Sequence, residues 1–383
     1  MIYFSNLVPL KKKMNSMFHT LYFEGTRNCN LNCKYCSTKS NVKTKYPDIP
    51  TNKIIERVFK PAWDLGTRMI DFSGGEFLIR KDAFTLLKEA NDIGFRISLV
   101  TNGKLINQKM IDKLQNTLGD NLLLSLGVNS FDEKNIETRD YEAKKTLDII
   151  NLVERNGIGI NMVVTIGKFN ADTFEDTISY IDKLRLPYNR TPFVPRNADC
   201  GSLMFDKETM RNKIHPTLLK YYRGYVSYIP FFLNEDEYFK HSKQNREVSL
   251  VPTNPSVGCW VGSFYGINPE GEVAPCPLLL DHVSGGNVYK ESLYDILYNS
   301  DLFKNIVDRT KLKGKCGTCK YNYTCGGCRV MAYYQSGDVM AEDPTCFIED
   351  LSEEELQELE EKTYKNFKNY NRMTAFGGVF KKD

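Results

Sequence analysis

Three cysteines, Cys29, Cys33 and Cys36, spaced C-x3-C-x2-C, follow closely on an apolar stretch, Leu21-Tyr22-Phe23, that reads as a strand. This feature constrains the fold most, because a loop hung on a strand end has to bring three thiolates to one inorganic centre. Three thiolates can hold three irons of a 4Fe–4S cube and leave the fourth iron without a protein ligand. An open coordination position is what a catalytic site keeps and a structural site closes. The competing readings are a zinc site short of its fourth ligand and three scattered buried cysteines.

Eleven cysteines in 383 residues require an explanation. A secreted disulfide framework does not suit a large chain whose N-terminus lacks a signal-peptide pattern, so metal binding is the better reading. Three of the cysteines lie in the first loop, seven between Cys259 and Cys346, and Cys200 stands alone as a thiol without a role. The net charge of +3 points to neither a nucleic-acid groove nor a membrane surface, and Lys11-Lys12-Lys13 reads as a solvated patch. No apolar run is long enough to span a membrane, and a cytoplasmic protein is expected. The length suits a barrel-sized domain followed by a second one.

From Leu21 to about Pro195, apolar runs at 21–26, 68–73, 95–101, 121–127, 158–165 and 190–195 alternate with helical patterns. The helices are expected at 51–65, 81–93, 107–117, 141–156 and 173–185, with Thr51 and Asp172 as caps and Gly94 and Gly157 as stops. Strand then helix, repeated about six times, gives a parallel sheet with helices outside. An eight-unit barrel needs more chain than this, so the expected fold is α/β, a partial (β/α)6 barrel.

Chemistry in such barrels sits at the C-terminal ends of strands, where the unusual residues fall. After the second strand comes Ser73-Gly74-Gly75-Glu76, two glycines that allow close backbone approach and a carboxylate that can receive an ammonium group. Alone this is an ordinary turn. Thr101-Asn102-Gly103 follows the third strand, and Ser125 is the single polar residue in Leu122-Leu123-Leu124-Ser125-Leu126. Residues 206–250, rich in aromatics such as Tyr221-Tyr222 and Phe231-Phe232, read as helix and connection closing the barrel's open side. Beyond them come Cys259, Gly271, Cys276, then Cys316-x2-Cys319-x5-Cys325-x2-Cys328, and Cys346. Zinc accounts for the four from Cys316 to Cys328 but not easily for all seven. Glu353-Glu354-Glu355 to Phe367 reads as a charged surface helix.

The first cysteine loop resembles that of the radical S-adenosylmethionine (SAM) enzymes, whose fold is the partial (β/α)6 barrel. The resemblance implies that Cys29, Cys33 and Cys36 hold a 4Fe–4S cluster whose open iron binds the amino and carboxylate groups of SAM. Tyr35 then lies beside the adenine, Gly74, Gly75 and Glu76 hold the SAM amino group, and Thr101 and Asn102 belong to the substrate side. Ser125 faces the ribose, Arg139 reaches the SAM carboxylate, and Val194 packs on the adenine. Phe77 replaces the family's usual Pro, and Asp140 follows Arg139 where the family has Gly. The later cysteines resemble the SPASM domain, which carries two auxiliary 4Fe–4S clusters, giving three in all. Cys259, Cys276 and Cys328 are implied for the first, and Cys316, Cys319, Cys325 and Cys346 for the second. The family's last pair is C-x3-C; here Gly326-Gly327 make it C-x2-C. A fourth position on the first auxiliary cluster is expected to be open, unless the spare thiol of Cys200 closes it.

The expected division is an extension at 1–20, the barrel at 21–205, a linker at 206–255, the SPASM domain at 256–350 and a tail at 351–383. The implied reaction begins with one-electron cleavage of SAM to methionine and a 5′-deoxyadenosyl radical, which removes a substrate hydrogen atom. A ribosomally made peptide is the expected substrate, with a flavodoxin or ferredoxin as reductant. Only about 20 residues precede the first strand, too few for a recognition domain, so a separate recognition protein is expected. Small molecules such as a tetrapyrrole or an aminosugar are the alternative. Sulfatase maturation is disfavoured because Pro277 stands where those enzymes place an Asp base. A non-enzymatic electron carrier or zinc protein would leave Gly74-Gly75-Glu76 without purpose.

Overall fold

The computed structural model describes residues 18–38, 40, 42, 45–195, 198–222, 228–241 and 257–375. Runs of aromatic and branched residues form β1 (Thr20–Glu24), β2 (Met69–Ser73), β3 (Arg96–Thr101), β4 (Leu122–Gly127), β5 (Gly159–Ile166) and β6 (Tyr188–Pro192). All six pair in parallel, in chain order, as the strand–helix alternation predicts. The sixth strand begins at Tyr188 and stops at Pro192, earlier than expected, because proline cannot donate to a ladder.

The sheet does not stop at six strands. β7 (Phe264–Ile267) pairs in parallel with β1, Thr20 opposite Phe264 and Phe23 opposite Ile267. β8 (Val273–Ala274) returns antiparallel around the turn at Gly271, whose φ of 92° suits glycine. The hairpin of the cysteine-rich region therefore extends the barrel sheet, and the edges are β6 and β8.

The helices cover one face. Residues 51–64 form one helix interrupted by a π turn at Ile55–Phe59, and Ala83–Ile93 ends on left-handed Gly94 as expected. Two expected caps are corrected. Thr51 is the first helical residue, and its hydroxyl donates to Asp82 at 2.5 Å instead of capping. Asp172 lies in a short turn before Phe174–Lys183 and pairs with Lys213. Pro50 and Thr173 occupy the positions just before the two helices instead.

Under the helices the convex face supplies the apolar core: Leu21, Phe23, Ile70, Phe72, Ile97, Leu99, Leu124 and Met162 are all buried. The concave face shows the opposite alternation, with Tyr22, Asp71, Val100, Val163, Thr165, Asn189 and Thr191 partly accessible. A closed barrel fills its interior with branched side chains. This open one keeps a polar lumen.

The described part of the 206–250 segment forms helices at 207–220 and Glu235–His241. His215 is buried against Tyr228, Phe232 and Phe347, so these aromatics pack, as the sequence predicts. The last helix, Glu353–Ala375, is less of a surface element than its charge indicates, since Phe367 is buried against Tyr238. Lys11–Lys13, most of the 1–20 extension, the end of the 206–255 linker and the tip of the tail lie outside the described residues, as does the side chain of Cys200.

Candidate active site

The cysteine loop leaves β1 and is held by the turn after β2. Gly75 N donates to Thr26 O at 2.8 Å and Glu76 N to Asn28 O at 2.9 Å. A Cβ on Gly74 would stand 2.4 Å from Thr26 O, and one on Gly75 2.1 Å from Asn28 O. The close approach that the glycines allow is thus to the loop's own backbone.

Glu76 is fully buried. Its Oε2 accepts from Thr101 Oγ1 and from Asn102 N, each at 2.9 Å, and its Oε1 accepts from Leu78 N at 3.4 Å. Burial raises the carboxyl and outweighs the lowering by these bonds and by the Arg139 charge. Asn102 donates to Asn30 Oδ1 at 2.7 Å and stands 3.9 Å from Cys29 Sγ. Thr101 and Asn102, predicted on the substrate side, are therefore tied to Glu76 and the cysteine loop.

Arg139 closes the other side. Its Nη1 donates to Tyr35 OH at 2.9 Å, and its carbonyl accepts from Cys33 Sγ at 3.2 Å. Its Nε is shielded from solvent and has no partner. The guanidinium fits only because β4 ends in Gly127, where a Cβ would stand 2.3 Å from Nη2. Asp140 takes φ 57°, the left-handed conformation that explains a glycine there in relatives and that Asp tolerates. Tyr35 is buried, stacked on Phe169 at 5.3 Å and edge-on to Phe193, with Val194 next in the chain and fully buried.

On the concave face Ser125 bonds side chains, not backbone: Ser98 Oγ at 3.3 Å and Asn161 Nδ2 at 3.3 Å. Asn161 Oδ1 is shielded and unpartnered. Asn161, Gly127 and Asn30 were not singled out from the sequence; a glycine ending a strand two residues after Ser125 is the one local signal that could have found them.

These residues fit SAM and a cluster. A shielded, unpartnered guanidinium Nε suits a carboxylate, a buried carboxylate suits an ammonium, and an unpartnered amide oxygen suits a hydroxyl. Burial pushes the Cys29 thiol up to about 11 and also raises Cys33, which Arg139 partly offsets. Thiols in this state lose their protons when a metal centre takes them as ligands.

In the second region cysteines within each of the two sets expected from the sequence lie close enough to influence one another electrostatically. Burial, then Cys259 and Cys328, raise the Cys276 thiol. Separately, Cys325 is raised by burial, then by Cys346 and Cys316, and Cys319 by burial, then by Cys316. Gly326 and Gly327 are both left-handed, at φ 70° and 57°, and make the tight bend between Cys325 and Cys328. Backbone N–H groups of Phe231, Tyr321 and Asp343 each donate to a sulfur at 3.4 Å, on Cys325, Cys319 and Cys316. Arg329 Nη2 reaches Cys316 Sγ at 3.6 Å, and Arg309 donates to Cys259 O at 2.6 Å. Neither arginine was foreseen. Among the described residues no three His, Cys, Asp or Glu side chains converge as a single ion requires.

Comparison with known proteins follows this geometry. A family model described as the radical SAM superfamily matches residues 23–181, and one described as an iron–sulfur cluster-binding domain, SPASM, matches 259–329. The chain is 26% identical to the AdoMet-dependent heme synthase of Methanosarcina barkeri, over 85% of this chain and 95% of that protein. It is 25% identical to the PqqA peptide cyclase of Xanthomonas euvesicatoria pv. vesicatoria, over 85% and 87%. Among solved structures, Streptococcus suis SuiB bound to S-adenosylmethionine superposes with a TM-score of 0.63 at 17% identity, over 86% of this chain and 77% of that one. The structure of anSMEcpe with bound AdoMet gives 0.63 at 16%, over 92% and 98%. These likenesses at low identity speak for a shared fold. With both models matched and that fold shared, the chain belongs to the radical SAM superfamily and carries a C-terminal SPASM iron–sulfur cluster-binding domain.

Proposed function

We propose that the protein is an oxidoreductase that cleaves SAM reductively, takes a hydrogen atom from its substrate and oxidatively modifies a ribosomally made peptide. The observation that carries this reading is the pair of opposed charges, Glu76 and Arg139, set on either side of Cys29 and Cys33. That pairing complements the ammonium and carboxylate of an amino acid. Cys29, Cys33 and Cys36 would hold the SAM-binding cluster, which supplies the electron that opens the sulfonium to methionine and a 5′-deoxyadenosyl radical. Glu76 takes the ammonium and Arg139 the carboxylate, with Tyr35 OH fixing the guanidinium. Tyr35, Phe169 and Val194 exclude water on the adenine side, and Ser125 and Asn161 meet the ribose hydroxyls. Cys259, Cys276 and Cys328, and then Cys316, Cys319, Cys325 and Cys346, would hold two auxiliary clusters, which would accept the electron that the substrate radical loses. A flavodoxin or ferredoxin supplies electrons, and a separate protein presents the peptide.

Support for a peptide comes from the PqqA peptide cyclase likeness and from SuiB, whose structure bound to the precursor peptide SuiA superposes with a TM-score of 0.61. A tetrapyrrole is the second reading, favoured by the heme synthase likeness. The test is anaerobic reconstitution with SAM and dithionite. The wild type is expected to form 5′-deoxyadenosine; failure to form any overturns the reading. Glu76→Gln should keep its iron and bind SAM about 10- to 100-fold more weakly, as loss of a charged hydrogen bond implies. A short peptide encoded beside the protein should lose hydrogen or carbon dioxide by mass spectrometry. A changed absorption spectrum of an added tetrapyrrole, with no change in peptide mass, favours the second reading.

A further inference from the structure

One ionisable group on the concave face has no task in this scheme. Asp71 sits midway along β2, flanked in register by Tyr22 on β1 and Ser98 on β3. Its chain neighbours Ile70 and Phe72 are fully buried beneath the helices, so alternation turns Asp71 to the lumen, where it is partly accessible. Ser98 is the polar neighbour that partly offsets the burial of its carboxyl, which is pushed up to about 6, and among the described residues no cation lowers it. Ser98 in turn meets Ser125, which meets Asn161, so a polar belt crosses β2 to β5 and ends at the unpartnered Asn161 Oδ1. A half-shielded carboxyl with one hydroxyl for company is costly to ionise. A bound group that donates N–H bonds removes that cost, and a bound carboxylate increases it.

We propose that Asp71 anchors the substrate inside the half-barrel by accepting hydrogen bonds from an N–H group, a protonated amine or an amide, and that it rejects a carboxylate there. This rests on the functional reading above and adds to it that the substrate lies in the lumen of the half-barrel. A peptide offers such groups throughout its backbone, and at lysine side chains and its amino terminus.

The test is anaerobic calorimetry on the full-length, reconstituted protein with SAM bound, using n-butylammonium, butyramide and butyrate as probes. The unmodified protein should bind butylammonium or butyramide about tenfold or more tightly than butyrate. Butylammonium binding tighter assigns an amine, and butyramide binding tighter assigns an amide. Asp71→Ala should weaken the preferred probe about tenfold. Asp71→Asn should weaken butylammonium by as much while sparing butyramide. Butyrate binding as tightly as the others, binding of no probe, or an unchanged affinity in Asp71→Ala overturns the proposal. Should the variants not fold, as judged by circular dichroism and iron content, the order of the probes on the unmodified protein decides alone. Formation of 5′-deoxyadenosine is a separate readout: a protein that makes it but shows no probe preference keeps its function and loses this anchor.

Discussion

A single missing methyl group sets the place of Arg139. A Cβ on Gly127 would come within 2.3 Å of Nη2 and 2.6 Å of Cζ, atoms at the far end of a flexible side chain. Gly127→Ala should therefore displace the guanidinium at little cost to the fold. We expect a nearly unchanged melting temperature and iron content, with SAM affinity reduced about tenfold by equilibrium dialysis, the worth of one charged hydrogen bond. Gly75→Ala should behave differently. There the clash, 2.1 Å, is with the Asn28 carbonyl in the backbone of the cysteine loop, so iron incorporation itself should fall. Gly74-Gly75-Glu76 was legible in the sequence because its residues are adjacent. Gly127 and Asn161 were not, because their partners, Arg139 and Ser125, are brought to them only by the fold.

The cysteine-rich region rests on the helix that contains His215. Its ring is buried, bonded through Nε2 to Pro230 O at 3.0 Å, and walled by Tyr228, Phe232 and Phe347, one residue from Cys346. Burial lowers its pKa from 6.5 to about 3, so folding requires the neutral ring. The sign follows: the unfolded chain binds a proton below 6.5 that the native state refuses until about 3. Stability due to this group is complete above pH 6.5 and falls by about 1.4 kcal/mol per pH unit on acidification through that window. Urea unfolding at pH 7 and pH 5 should show the loss. In His215→Phe the difference between the two pH values should shrink by about 2 kcal/mol. An equal difference in both proteins would refute it. At this scale, strands β1 to β6 and their helices could be read from period and punctuation. The turn at Gly271 between two short strands, β7 and β8, could be read as well, but not the docking of β7 on β1: at four and two residues the strands carry too little periodicity, and a turn signal does not name a partner strand.

Over the whole molecule the proposed ligand sets amount to three four-iron clusters, so reconstituted protein should hold about twelve irons per chain. Replacing Cys29, Cys33 and Cys36 together by Ala should remove about a third and abolish 5′-deoxyadenosine formation. Iron near four, or zinc in its place, would refute the assignment of the later cysteines. The joining of β7 to β1 has a consequence in time as well as in space. β1 is a central strand, yet its second neighbour is made about 240 residues after it, since β1 ends at Glu24 and β7 begins at Phe264. At roughly 5–20 residues per second of synthesis, that edge stands open for about 12–50 s. During that interval the nascent barrel presents an unpaired parallel edge of alternating apolar side chains, Leu21 and Phe23 among them, to anything nearby. A chain stopped after β6 keeps the edge open for good. The barrel expressed alone should therefore collect in the insoluble fraction, while the full chain escapes by completing its first strand last.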